Sequence, residues 1–135
     1  MPEPLRILIV DDDAEDRMIL EQLLSEAGQG NVMVHMACDG IDALDMLHSL
    51  ITAGTLPDIV VLDVNMPRLN GRETLESIKA STEYRQLPVV MFSTSDNNKV
   101  REDCLALGAS DYLIKPSDYQ AARELGNYFC ELARK

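Results

Sequence analysis

The chain alternates short aliphatic runs with longer segments whose apolar residues recur every three or four positions. Leu5 to Val10 reads as a short buried strand that ends abruptly in Asp11, Asp12 and Asp13. A helix is expected from Ala14 to Ala27, with Asp13 as its cap, Leu20, Leu23, Leu24 and Ala27 facing inward, and Gly28 as its stop. Val32 to Ala37 is a second, less apolar strand. After the Asp39-Gly40 turn, Ile41, Leu44, Leu47 and Leu50 mark a helical stripe that Gly54 and Pro57 close. Ile59 to Leu62 is wholly aliphatic, the signature of a central strand covered on both faces. Pro67 and Gly71 punctuate the following loop, and Leu75 and Ile78 belong to a third helix. Pro88 opens a fourth strand, Val89 to Phe92, which runs into the hydroxyl-rich turn Ser93-Thr94-Ser95. A fourth helix is expected from Asn98 to Leu107 and a fifth strand from Tyr112 to Ile114, ending at Lys115-Pro116. Ser117 is the expected N-cap of a last helix with Ala122, Leu125, Phe129 and Leu132 on one face.

Strands separated by helical crossovers pair in parallel and carry helices on both faces, so the fold class is α/β. The 135 residues suit one domain, with no repeat or linker, and no output domain is expected. Hydrophobic residues make up 46% of the chain, which argues for a packed core rather than disorder.

Charge and cysteine content narrow the function. A net charge of −11 disfavours nucleic acid as a partner, because binding it rests on Lys and Arg neutralising phosphates. Most of the acidity reads as solubility, with part of it available for a cation site. Cys38, Cys104 and Cys130 are odd in number and widely spaced, which points to free thiols in a cytoplasmic protein rather than a disulfide framework or a zinc site. The first apolar run is too short for a signal peptide or a membrane span, so no membrane partner is expected.

In a parallel sheet all strand C-termini share one edge, and ligands bind in the crevice there. Asp11 and Asp12 follow the first strand, Asp63 the third, Ser93 the fourth and Lys115 the fifth. Taken alone, Asp63 is an ordinary turn carboxylate, Asp11 and Asp12 are cap residues, and Lys115 is a solvated lysine. Gathered at one edge, three carboxylates need positive charge, which Lys115 and a hard divalent cation supply. A carboxylate nucleophile, a cation, an ammonium and a hydroxyl are the parts that position and stabilise a transferring phosphoryl group. Thr94 and Ser95 are further candidates for the hydroxyl. Tyr112 reads equally as a half-buried strand tyrosine. His35 and His48 lie away from the crevice, and the methionines read as packing residues.

With the motifs ILIVDDD, VLDVNMPRLNG, PVVMFSTS and YLIKP in order, the chain resembles the receiver domain of two-component response regulators over essentially its whole length. The resemblance implies a flavodoxin-like (βα)5 doubly wound five-stranded parallel sheet of order 2-1-3-4-5. It implies that Asp63 accepts a phosphoryl group from a histidine kinase or phosphotransfer protein. Asp12, Asp63 and the backbone carbonyl of Asn65 would ligate Mg²⁺, with Mn²⁺ as a substitute, and Asp11 would act through a metal-bound water. Ser93 and Lys115 would bind phosphoryl oxygens. Tyr112 matches the aromatic position that rotates inward as Ser93 is drawn to the phosphoryl. The switched surface would be the fourth helix, fifth strand and fifth helix, acting on a downstream partner or a homodimer. NMPRLNGRE and FSTS resemble the stand-alone regulators that serve phytochrome-like sensor kinases.

Two other readings of the same fold remain. A phosphohydrolase of the haloacid dehalogenase type also uses an aspartyl phosphate, but it wants an acid two positions after the nucleophile. Asn65 stands there, with no useful proton to give. An inert scaffold would lack the acids or the lysine, and all are present. A dinucleotide or P-loop site fails because Asp11-Asp12-Asp13 replaces the glycine-rich loop after the first strand. The expectation is therefore a phosphoacceptor switch that turns over no separate substrate.

Overall fold

A computed structural model describes residues 3–134. Five strands, β1 (Leu5–Val10), β2 (Val32–Ala37), β3 (Ile59–Leu62), β4 (Val89–Ser93) and β5 (Asp111–Ile114), form one sheet of order β2-β1-β3-β4-β5. Every pairing is parallel. Five helices alternate with them: α1 (Ala14–Ala27), α2 (Gly40–Thr52), α3 (Gly71–Ala80), α4 (Asn98–Ala106) and α5 (Tyr119–Arg134). This is the flavodoxin-like arrangement that the resemblance implies.

Strand side chains alternate between two cores, as the pleat requires. Leu8, Val10, Val60, Leu62, Val89 and Met91 meet Leu47, Leu75, Ile78 and Cys104 on the face carrying α2, α3 and α4. Ile7, Ile9, Ile59, Val61 and Val90 meet Leu20, Leu24, Phe129 and Cys130 on the face carrying α1 and α5. The central strand β3 is buried at all four positions, so its aliphatic run is explained by two covered faces. Burying a side chain such as Leu24, fully enclosed, is worth about 1.5–3 kcal/mol.

Three local expectations change. The cap of α5 is Asp118, whose carboxylate accepts from the amide of Ala121 at 2.9 Å, not Ser117. Asp118 stands directly before the first helical residue, and its charged acceptor also favours the positive end of the helix. Gly126, Phe129, Cys130 and Ala133 form the buried line of α5, while Ala122, Leu125 and Leu132 flank it half-buried. Gly126 permits this by bringing α5 against the backbone of Leu23, where an added Cβ would lie 3.1 Å from the carbonyl oxygen. On α2 the buried line is Gly40, Ala43, Leu47 and Leu50, and Ile41 is exposed. The small residues Gly40 and Ala43 allow close approach to the β3–α3 loop and α3, and so rotate the helix away from the larger Ile41.

Candidate functional site

The sheet register extends beyond the strands and sets the site. The amide of Asp63 donates to the carbonyl of Val10 at 2.9 Å, that of Asp11 to Ala37 at 3.1 Å, and that of Lys115 to Ser93 at 2.8 Å. Backbone hydrogen bonding thus carries Asp11, Asp63 and Lys115 to the same C-terminal edge. Asp13 caps α1 as expected, accepting from the amides of Glu15 and Asp16. Its own amide donates to Asp11 Oδ1 at 2.9 Å, which orients the Asp11 carboxylate.

Asp11, Asp12 and Asp63 each place a carboxylate oxygen within 4.8 Å of the others. Asp11 and Asp63 are buried, and Asp12 is exposed. Lys115 Nζ donates to Asp11 Oδ2 at 2.6 Å and to Asp16 Oδ2 at 3.0 Å, and lies 3.7 Å from Asp63 Oδ2. Asp63 Oδ1 accepts from the Val64 amide at 2.8 Å, which leaves Oδ2 facing the lysine. Burial pushes the Asp63 carboxyl up to about 6, opposed by Lys115, raised further by Asp11, and opposed again by the Val64 and Asn65 amides. Burial alone would lower Lys115, but its bonds to Asp11 and Asp16, with the charge of Asp63, hold it above the ordinary lysine value.

Asp11, Asp12, Asp16 and Asp63 gather around the Lys115 ammonium and the Arg17 guanidinium, which donates to the Asp11 carbonyl, so the site keeps an excess of negative charge. Close-set oxygen donors with excess charge fit a hard divalent cation of the Mg²⁺ or Mn²⁺ kind.

Two buried hydroxyls belong to the neighbouring strands β4 and β5. Ser93 is fully buried at the end of β4, and its Oγ accepts from the Ser95 amide at 3.1 Å. Tyr112 is buried on β5, and its hydroxyl donates to the Ser95 carbonyl at 2.8 Å. Ser95 is therefore held from one side by Ser93 and from the other by Tyr112. Asn65 is exposed on the β3–α3 loop, and Met66 packs against the core as a packing methionine should. His35 on β2 and His48 on α2 lie away from the edge. All three cysteines are free.

Sequence reasoning missed Asp16, which is 99 positions from Lys115, and the Arg68–Asp39 pair, which is 29 positions apart. In sequence Asp16 is one of two acids in the first turn of a helix, the usual complement to a helix N-terminus. Only the packing of α1 beside the end of β5 places it next to Lys115.

Residues 7–125 match the family model described as the response regulator receiver domain. The chain belongs to that family. Among relatives of this receiver domain, the response regulator MprA of Mycobacterium sp. (strain KMS) is 41% identical over 113 residues, covering 84% of this chain and 45% of the relative. A protein-glutamate methylesterase/protein-glutamine glutaminase of Methanospirillum hungatei is 33% identical over 122 residues, covering 90% of this chain and 34% of the relative. The chain thus spans less than half the length of these two curated relatives. Among solved structures, the phosphorylated cyanobacterial phytochrome response regulator RcpA superposes with a TM-score of 0.88 at 25% identity, over 98% of this receiver domain and 95% of that chain. Family membership makes two-component signalling the setting, and receiver domains of this family bind Mg²⁺ at an acidic pocket. Among the described residues, no helix is long and apolar enough to cross a membrane.

Proposed function

We propose that Asp63 accepts a phosphoryl group from a histidine kinase or phosphotransfer protein, and that the fold converts this into a change of partner affinity. The observation that carries the reading is the placement of Asp63 Oδ2. It lies 3.7 Å from Lys115 Nζ, and the Asp63 carboxylate sits in a cluster with Asp11 and Asp12. Oδ2 attacks phosphorus, the bond from phosphorus to the donor imidazole nitrogen breaks, and the nitrogen keeps the bonding pair. Lys115 offsets charge on one phosphoryl oxygen, and the Ser93 hydroxyl donates to another. Asp12, Asp63 and the carbonyl of Asn65 would hold Mg²⁺, with Asp11 acting through water, and the cation would supply further charge compensation. Asn65 offers no acidic proton, which favours a held phosphoryl group over turnover of a phosphate ester.

The added phosphoryl carries about two negative charges and three acceptor oxygens. Drawing the Ser93 hydroxyl towards it releases the Ser95 amide, and Tyr112 responds through the Ser95 carbonyl. The affected surface is α4, β5 and α5, where Leu105 and Ile114 are apolar and exposed. This face suits a downstream protein partner or a second copy of the chain. Likeness to the phytochrome response regulator RcpA favours a phytochrome-like sensor kinase as the donor, and the three free cysteines favour a cytoplasmic location.

The test is intact-mass measurement after incubation with Mg²⁺ and acetyl phosphate. One phosphoryl group per chain is expected, absent with EDTA and absent in Asp63→Asn. Equal labelling of Asp63→Asn sinks the assignment.

A further inference from the structure

Lys115 is shared among three carboxylates, and only Asp16 of the three lies outside the acidic cluster suited to a cation. Asp16 belongs to the first turn of α1, where its amide donates to the Asp13 cap at 3.2 Å. The cap fixes this turn, and the turn aims the Asp16 carboxylate at Lys115 Nζ, 3.0 Å away. The Asp16 side chain is 42% exposed against 13% for that of Lys115, so the lysine is enclosed while its extra partner stands at the rim. Phe92, its ring centroid 5.9 Å from Nζ, offers the ammonium no alternative oxygen. In the resting site Lys115 therefore already has two short bonds, and Asp63 is the most distant of its three anionic neighbours.

Resting on the proposed phosphoryl chemistry, we propose that Asp16 is a positioning residue that holds Lys115 in the resting state and competes with the phosphoryl group for it. A cation held beside Asp11, Asp12 and Asp63 would compete with the lysine for the charge of Asp11, directly or through a bound water, and so weaken that partner's hold on the lysine. Asp16 is left as the remaining protein anion that Lys115 must release or share when the phosphoryl arrives. Asp16 thus raises the cost of the phosphorylated state and biases the switch towards rest.

The probe is beryllofluoride with saturating Mg²⁺, titrated by NMR against the wild type, Asp16→Asn, Asp16→Glu and Glu15→Gln. Glu15 is an exposed acid in the same turn with no ion pair among the described residues, and controls for removing a charge at long range. Asp16→Asn should bind beryllofluoride about three- to tenfold more tightly, the span of a half-exposed ion pair. Asp16→Glu should stay near the wild type and Glu15→Gln should change less than twofold. The gain from Asp16→Asn should vanish in a Lys115→Ala background, a result a purely structural role would not give. Unchanged or weaker binding by Asp16→Asn overturns the inference, as does an equal gain in Glu15→Gln or in the Lys115→Ala background. If the wild type binds no beryllofluoride at all, the proposed phosphoryl chemistry itself fails and the inference falls with it.

Discussion

Arg68 grips Asp39 with two bonds, Nε to Oδ2 at 2.7 Å and Nη2 to Oδ1 at 3.0 Å, and so ties the loop after Asp63 to the start of α2. Asp39 is buried and also caps α2 through the Asp42 amide. The Arg68 bonds hold its carboxyl below the ordinary range. The loop is pinned twice more, by the Gly40 amide on the Leu69 carbonyl and by the Gly71 amide on the Val64 carbonyl. Gly71 makes the second contact possible, since a Cβ there would lie 2.0 Å from the Asp63 carbonyl oxygen. Asp63 and Asn65 therefore sit on a backbone braced from α2.

Arg68 reaches this position at φ 63°, in the left-handed region that costs a non-glycine residue about 1 kcal/mol or somewhat more. Arg68→Gly and Arg68→Ala both lose the grip on Asp39, but only glycine relieves the backbone. Urea denaturation should find Arg68→Gly the more stable of the two by about 1 kcal/mol, after allowing for glycine's larger unfolded-state entropy through a Gly/Ala pair at an ordinary loop position. Equal stabilities would mean that the loop relaxes out of the left-handed conformation once the arginine is gone.

Burial of Asp63 has a signed consequence for stability. Its carboxyl rises from 3.8 when unfolded to about 6 in the metal-free fold, so the folded state binds the proton more tightly. The penalty for ionising it is absent well below pH 4, grows as pH rises, and is complete above about pH 6. In EDTA, Asp63→Asn should therefore be more stable than the wild type at pH 8 by about 1–3 kcal/mol, with the gain shrinking towards pH 4. Denaturation curves for both proteins across that range check it. A gain that is the same at pH 8 and pH 4 would contradict the burial argument.

Tyr112 and Ser93 meet at Ser95. Tyr112→Phe keeps the ring packing and removes the donor to the Ser95 carbonyl, at a cost of about 1 kcal/mol. Amide hydrogen exchange should accelerate at Ser95 and in the neighbouring turn while the β3 amides stay protected. Unaltered exchange at Ser95 would remove Tyr112 from the path between phosphoryl site and surface.

β1 and β3 were legible because burial on both faces demands aliphatic runs, and the half-buried edge strand β2 also falls where its apolar residues lie. The cap of α1 was legible because an acid before a helix has one obvious use. Helix faces were less so. On α2 and α5 the small residues Gly40, Ala43, Gly126 and Ala133 decide the contact line by permitting close approach, a role that hydrophobicity patterns underweight. The acids and lysine of the site could be read from their positions at strand ends, because one topological rule gathers them. Asp16 and Arg68 follow no such rule. One sits inside a helical turn and the other in an irregular loop, and their partners are set by tertiary packing alone.

Borohydride trapping tests most directly whether Asp63 carries the phosphoryl group. An acyl phosphate is reduced to an alcohol, so the labelled residue can be located by peptide mapping after phosphorylation with Mg²⁺ and acetyl phosphate. The prediction is a single reduced residue at Asp63, with Asp11 and Asp12 untouched. Label at Asp11 or Asp12, or an acid-stable phosphate on Ser93, would contradict it.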